Sequence, residues 1–109
     1  MPLYMLQFAY SSETWGMMLK NPEDRTSATE ATIRQAGGRL VGLYFHAGKY
    51  DGFLVAEFPD DASANAAAMV TTASGAMRLL KTTRLYSPKD VVESLGKAAK
   101  IQYRPPGRT

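Results

Sequence analysis

One glycine-containing turn constrains how this chain can fold. The segment Gly48-Lys49-Tyr50-Asp51-Gly52 separates two apolar runs, residues 40–47 and 53–58. Glycine at the first central position supplies the positive φ of a type II′ turn, so Gly48-Lys49 predicts a two-residue β-hairpin. The turn also fixes the strand register, in which the expected cross-strand pairs are His46–Asp51, Phe45–Gly52, Tyr44–Phe53 and Leu43–Leu54.

The hairpin lies in the middle of an alternating order of strands and helices. This order predicts a ferredoxin-like βαββαβ sandwich, an α+β fold with one antiparallel four-stranded sheet and two main helices on one face. A short helix after the first strand and a C-terminal helix are additions to it. The predicted strands are residues 3–10, 39–47, 50–58 and 76–86. The predicted helices are residues 14–19, 22–36, 61–74 and 88–99, and Asn21 is expected to cap the second of them with Pro22 at its first position.

The length and charge of the chain indicate one domain and a basic tail. With 109 residues the chain can bury a single core. We expect a domain of residues 1–99 and a basic flexible tail of residues 100–109. The net charge is +3, but four basic and no acidic residues lie from residue 97 onward, and the nine basic and ten acidic residues before them nearly cancel. A nucleic-acid partner is therefore not expected for the domain.

Several functional classes lack their usual sequence signals. The chain has no cysteine and one histidine, which excludes disulfides and gives no recognisable ligand set for a metal or haem. We therefore expect no cofactor. It also shows neither a basic region followed by an apolar run nor an apolar stretch of about 20 residues. These observations favour a cytoplasmic protein without a membrane partner.

Both faces of the predicted hairpin carry apolar side chains. A sheet covered by helices on one side should show one polar face, so the uncovered face is expected to pack against something. Two-fold homodimers are the commonest oligomers, and a homodimer, or a higher oligomer built from it, is the expected partner. The two expected faces are Val41, Leu43, Phe45, Ala47, Tyr50, Leu54 and Ala56 on one side, and Leu40, Tyr44, His46, Asp51, Phe53, Val55 and Glu57 on the other.

Five residues are candidates for a functional site. His46 and Asp51 are expected to lie about 5 Å apart across the hairpin, where the carboxylate would orient and charge the imidazole for proton transfer. The alternative is a hydrogen bond at the hairpin rim. Tyr44 and Tyr50 are either phenols in a ligand pocket or aromatic packing residues. Arg84 either binds a ligand carboxylate, or lies at a sheet edge or in an ion pair with Glu57.

Several short motifs in this order resemble the GYD domain family. The similarity covers residues 3–92, and it places the protein among the dimeric α+β barrels, in which two sheets meet face to face. It implies no specific activity, because related barrels include oxygenases, isomerases and ligand-sensing modules. His46 departs from the family pattern, which usually has a small hydroxyl residue there. The motifs are Gly37-Gly38, Tyr44, Gly48-x-Tyr50-Asp51, Glu57-x-Pro59-Asp60-Asp61 and Thr82-Thr83-Arg84-Leu85.

Three functions follow from these observations. The first is a homodimeric module that binds a small molecule. The second is a cofactor-independent oxygenase or isomerase that acts on an aromatic or lactone substrate with His46 and Asp51. The third is an assembly component without a ligand. A binding function predicts an enclosed apolar cavity between helices and sheet, beside the small helix residues Ala28, Thr29, Ala67 and Ala68.

Overall fold

The computed structural model describes residues 1–107. The last two positions of the predicted basic tail, Arg108 and Thr109, lie outside the described residues. Within residues 1–107 no helix combines the length and apolar character needed to cross a bilayer. The elements in chain order are β1 (Leu3–Tyr10), α1 (Ser12–Lys20), α2 (Thr26–Gln35), β2 (Arg39–Phe45), β3 (Gly52–Glu57), α3 (Asp61–Ala73), β4 (Met77–Leu85) and α4 (Pro88–Ala98).

The strands form one open antiparallel sheet in the order β2-β3-β1-β4. This order, with α2 and α3 as the two crossover helices, is the predicted ferredoxin-like α+β arrangement. The central strands are β1 and β3, and β2 and β4 form the edges. The fold predicted from the sequence is therefore confirmed for the protomer.

The hydrophobic core lies between one face of the sheet and the helices α2 and α3. Strands point successive side chains to opposite faces, so alternate residues of β1 and β3 supply the sheet side of the core. Phe58 is fully buried and packs edge-to-face against Tyr4. The buried cluster consists of Tyr4, Leu6, Ile33, Leu54, Ala56, Phe58, Ala64 and Ala67.

The opposite face of the sheet is not covered by α2 or α3. We call it the open face; it carries the alternate residues of the same strands. Most of its apolar side chains are only half-buried, and Tyr44 is 60% exposed. An apolar sheet face of this kind is typical of a surface that contacts another protein. The open face consists of Leu3, Met5, Gln7, Ala9, Arg39, Gly42, Tyr44, Phe53, Val55, Glu57, Leu79, Lys81, Thr83 and Leu85.

The hairpin has the predicted register but a longer connection. Leu43 pairs with Leu54, Tyr44 with Phe53 and Phe45 with Gly52. The amide of His46 donates to the Asp51 carbonyl at 2.9 Å, which continues the ladder by one bond. Gly48 has φ of 123°. The predicted two-residue turn is wrong, because the strands end at residue 45 and resume at residue 52.

At the start of β2 the side chains do not all lie on the faces of the sheet that were predicted. The register shifts between Leu40 and Gly42, so an extra residue, Val41, is accommodated in β2. Such a bulge reverses the side-chain parity that strict alternation would give. Leu40 therefore packs against the core and not on the face of Tyr44, where it was expected. Gly42 gives room for the ring of Tyr44, whose Cε2 would lie 2.8 Å from a β-carbon at that position.

The start of α2 also differs from the prediction. Asn21 was expected to cap a helix that began at Pro22, but its amide donates to the carbonyl of Met17 and terminates α1. The helix α2 begins at Thr26 instead. There the Asp24 carboxylate accepts from both the amide and the hydroxyl of Thr26, at 2.9 and 2.6 Å. Residues 21–25 form a loop, which becomes part of the candidate site.

Hydrogen bonds hold the pKa of four carboxylates below the ordinary range. The donors are the Thr26 side chain for Asp24, the Arg39 guanidinium for Glu57, the Ser63 amide for Asp60 and the Ser87 amide for Asp90. A carboxyl whose pKa is lowered by folding stabilises the protein above its unfolded pKa, about 4. This stabilisation is lost as the pH falls through the folded pKa.

We therefore expect the melting temperature to be constant between about pH 7 and pH 5 and to fall below about pH 4. Circular dichroism melts from pH 7 to pH 3 measure this. Asp60→Asn provides the control, because asparagine caps a helix as well as aspartate and does not titrate. Its melting temperature should fall less in acid than that of the parent. Equal acid sensitivity would show that the Asp60 cap is not formed in solution.

Candidate functional site

A cleft of about 450 Å³ lies between the three helices α1, α2 and α3 and one end of the sheet. Its floor is the end of β1 and the start of β4, and the 21–25 loop forms part of its rim. Both apolar and polar side chains line it. The lining residues are Tyr10, Thr14, Met17, Met18, Asn21, Glu23, Arg25, Thr29, Thr32, Val70, Thr71, Ser74, Ala76 and Met77.

A smaller apolar pocket of about 100 Å³ continues from the cleft toward the core. It lies between the sheet and the helices α2 and α3, where a cavity was expected from the sequence. Ala28, Thr29 and Ala67 line it, because their small side chains do not fill the space above Leu6 and Phe8. Ala68 instead lines a separate open groove beside β4. The cleft and the pocket share Arg25, Thr29, Thr32, Thr71 and Met77.

Two backbone-directed hydrogen bonds hold α1 over the cleft. The Ser11 amide and the Thr14 hydroxyl both donate to the carbonyl of Ala76, at 2.9 and 2.8 Å. Ser11 also caps α1 by accepting from the Thr14 amide. The start of β4 therefore positions α1, and with it the methionines Met17 and Met18. Methionine side chains are flexible and polarisable, so they adapt to ligands of irregular shape.

A buried tyrosine supplies a polar group at the floor of the cleft. Tyr10 is 5% exposed, and its ring packs edge-to-face on Trp15 with centroids 5.4 Å apart. Burial raises the pKa of the Tyr10 phenol, and the positive charge of Arg25 beside it opposes this effect. The phenol is therefore protonated at neutral pH. In this state it can donate a hydrogen bond to a ligand oxygen and does not act as a base.

Arg25 is the cationic group of the cleft. It lies at the N-terminus of α2, and its guanidinium is 2.8 Å from the carboxylate of Glu23 in the same loop. This pair is partly exposed and leaves other guanidinium donors for a ligand, since arginine has five N–H groups. The hydroxyl groups of Thr71 and Thr32 donate to helix carbonyls, at 2.9 and 3.3 Å. The cleft thus combines an apolar wall with two donor groups, Arg25 and Tyr10.

The comparison with protein families identifies the group to which the chain is related. A family model, the GYD domain, matches residues 4–95 of the 109-residue chain. The chain belongs to the GYD domain family. A comparison with curated proteins returned no match. The GYD match begins in β1 and ends inside α4, so the sheet, its crossover helices and the residues that line the cleft all lie within the family's region.

In this GYD protein the side chains of His46 and Asp51 bind different partners. The Asp51 carboxylate accepts from the amide of Tyr10 at 2.8 Å, and the Asp51 amide donates to the carbonyl of Phe8. The His46 imidazole is exposed, with Nδ1 2.9 Å from the Ala47 carbonyl. The backbones are opposed as predicted, but the expected contact between the two side chains is not formed. Asp51 instead ties the hairpin loop to β1.

The other predicted site residues lie apart from each other and do not line the cleft. Tyr44 lies on the open face and packs on Phe53, with ring centroids 5.6 Å apart. Tyr50 lies in the hairpin loop, with the Lys49 ammonium 5.9 Å from its ring centre. The position of Tyr44 agrees with the alternative in which its ring is a packing residue. Tyr50 lines neither the cleft nor the deeper pocket.

Arg84 lies on the edge strand β4, as one alternative predicted, and the other alternative, an ion pair with Glu57, is not formed. Its guanidinium packs over the rings of Tyr4 and Tyr86 and lies 3.8 Å from Asp61. The Glu57 carboxylate is instead bound by Arg39, at 3.0 and 3.2 Å. Tyr4 donates to Asp61, and this hydrogen bond raises the pKa of its phenol. These contacts fasten α3 to the sheet.

The cleft contains functional candidates that the sequence pattern did not single out. Tyr10 ends the predicted strand of residues 3–10, in which residues of both parities are apolar, so the pattern does not distinguish it from a core residue. Arg25 fell inside a segment that was predicted to be helical. Within residues 1–107, no three His, Cys, Asp or Glu side chains are grouped to hold a metal ion. The chemistry of the site therefore rests on the phenol, the guanidinium and the apolar wall.

Proposed function

We propose that this GYD protein is a homodimeric module that binds a small molecule in the cleft beneath α1. The observation that carries this proposal is the combination of a cleft and a deeper apolar pocket with two convergent donors, Tyr10 and Arg25. Ligand sites in proteins are mostly apolar cavities with a few placed polar groups. The volume of about 450 Å³ falls in the range of such sites.

The geometry of the cleft and the pocket also indicates the chemical class of the ligand. The deeper pocket accepts an apolar group next to Phe8 and Leu54. The donors Arg25 and Tyr10 bind an oxygen-bearing end, with preference for an anion because of the guanidinium. The ligand is therefore an apolar molecule with one acidic or strongly hydrogen-bonding end.

The homodimer is proposed from the open face. Val55, Phe53 and Leu79 would remain in contact with water in a monomer, and a second copy of the same face covers them with two-fold symmetry. The cytoplasmic location stays a prediction from the sequence.

The alternative of an oxygenase or isomerase has less support. Its proton-transfer pair requires contact between His46 and Asp51, and Asp51 binds the Tyr10 amide instead. Neither residue lines the cleft. Tyr10 is protonated at neutral pH, so it does not supply the missing base. Binding without catalysis is therefore the function that the geometry supports best.

Ligand binding can be tested with the dye 1-anilinonaphthalene-8-sulfonate, which has an apolar ring system and an anionic group. We expect the parent protein to bind it at micromolar concentration. In Thr29→Phe the aromatic ring fills the space shared by cleft and pocket, so the dissociation constant should rise by at least about tenfold, a loss near 1.4 kcal/mol. Fluorescence titration measures both constants.

Ser27→Phe provides a matched control, because Ser27 is exposed on the same helix and does not line the cleft. It should bind the dye as tightly as the parent. Equal dye affinity of the parent and Thr29→Phe would place the dye elsewhere and contradict the assignment of the cleft. Native mass spectrometry of the freshly purified protein would identify a ligand retained from the host.

A further inference from the structure

The helix α4 projects from the body of the protein. None of its residues is buried, and Val92 and Leu95 are 66% and 62% exposed. The radius of gyration is 18.0 Å, although a compact chain of this length has a value of about 13 Å. The long axis of the molecule measures 64 Å, twice the next one at 32 Å. The helix and the residues after it therefore form an arm that adds length without adding core.

This arm is nevertheless a well-specified helix. Ser87 and Asp90 form a complete capping box, and Pro88 occupies the first turn. Val91, Val92 and Leu95 follow helical spacing and form one apolar stripe. An isolated helix of 11 residues is marginal in water, and Gly96 weakens this one further. The stripe must therefore pack on another surface for the helix to persist.

We propose that the apolar stripe of α4 packs on a second copy of this chain, so that two arms are exchanged across the dimer. This inference rests on the proposed homodimer. A standard stable interface buries about 800 Å² on each partner. The open face is a four-stranded sheet with strands about 4.8 Å apart and about 20–25 Å long, or roughly 450 Å². The flat footprint of the open face is therefore little more than half of the standard area.

The two arms supply the remaining area. A helix of 11 residues is about 16 Å long and about 10 Å wide, so one of its faces covers roughly 160 Å². In a two-fold dimer each protomer buries its own arm and receives the arm of its partner. The total then approaches the area of a stable interface. Two residues, Tyr86 and Ser87, separate the arm from β4, whose edge borders the open face, so the two contacts form one continuous surface.

The charges of α4 favour a protein partner over a membrane surface. Helices that lie on anionic bilayers are rich in lysine and arginine on the polar face. The polar face of the helix itself is balanced, with Lys89 and Lys97 against Asp90 and Glu93, and the basic residues Lys100 and Arg104 follow it in the arm. Lys97 and Glu93 form an ion pair of 4.0 Å along the helix. A balanced polar face and a short stripe of valine and leucine are typical of a helix that packs on protein.

The test compares two adjacent substitutions of equal charge in the full chain. Leu95→Asp places a carboxylate in the stripe, and Ser94→Asp places one outside it. Sedimentation equilibrium of the Leu95→Asp variant should show a dimer dissociation constant raised by at least about tenfold. Its circular dichroism should show the loss of roughly one helix of 11 residues. Ser94→Asp should match the parent in both measurements.

Three results would overturn the inference. If Leu95→Asp dimerises like the parent, while a substitution on the open face separates the protomers, the arm is not in the interface and the proposed homodimer stands. If the parent is monomeric, both the arm exchange and the homodimer are wrong. If the parent alone floats with phosphatidylserine vesicles and Leu95→Asp leaves its mass unchanged, the stripe binds a membrane and not a second copy.

Discussion

Val55→Asp should convert the proposed homodimer into a folded monomer. Val55 lies on the central strand β3, beside Met5 of the other central strand, in the middle of the open face. In a dimer formed through this face, the new carboxylate would lose its water without gaining a partner. Burial of an unpaired charge costs several kcal/mol, so the dimer dissociation constant should rise by at least about 100-fold.

The same variant should keep the fold of the protomer. Val55 is half-buried in the protomer, so a carboxylate at that position remains hydrated once the copies separate. The loss of strand propensity amounts to about 1 kcal/mol at most. Sedimentation equilibrium gives the mass, and far-ultraviolet circular dichroism shows whether the sheet and helices remain.

Leu19→Asp is the control for the general effects of adding a negative charge and removing an apolar side chain. Leu19 is 79% exposed on α1, away from the open face. It should leave the dissociation constant unchanged. A dimer that survives Val55→Asp with the parent's affinity would show that the open face is not the interface.

The protomer fold was predictable because its signals are local. Side-chain alternation in β1 and β3, the Ser87-Pro88 cap and the positive φ of Gly48 each act within a few residues, and each is found in the structure. The bulge at Val41 could not be predicted in this way. It appears only in the pairing of β2 with β3, where Leu40 is opposite Ala56 and Gly42 is opposite Val55, and a strict period of two does not include the extra residue.

The candidate site was less predictable because its residues meet only through tertiary structure. Asp51 is opposite His46 in the hairpin, but its carboxylate binds the amide of Tyr10 in the central strand β1. The register of the two hairpin strands alone does not include this third strand. The small residues in α2 and α3 allowed a cavity above the sheet to be predicted. The position of α1 could not be predicted, because it depends on a hydrogen bond from Thr14 to the carbonyl of Ala76, 62 residues away.

The second large effect is expected for Gly38→Ala, which should lower the melting temperature by roughly 10–20 °C, a loss of about 3 kcal/mol. Gly38 joins α2 to β2, where the chain passes directly against β3. A β-carbon there would overlap the backbone oxygen of Glu57 and would lie 2.9 Å from Cδ1 of Phe58. Phe58 is fully buried and the oxygen belongs to a central strand, so neither can move aside.

Gly16→Ala separates this steric effect from a general effect of adding a methyl group. No atom lies within 4 Å of a β-carbon built at Gly16 in α1, so alanine there should stabilise the helix by up to about 1 kcal/mol. Thermal melts of both variants at equal protein concentration measure the difference. If Gly38→Ala melts within a few degrees of the parent, α2 and β2 do not approach β3 as closely as the fold requires. The floor of the deeper pocket, where Ile33 and Phe58 meet beside Gly38, would then need a different packing.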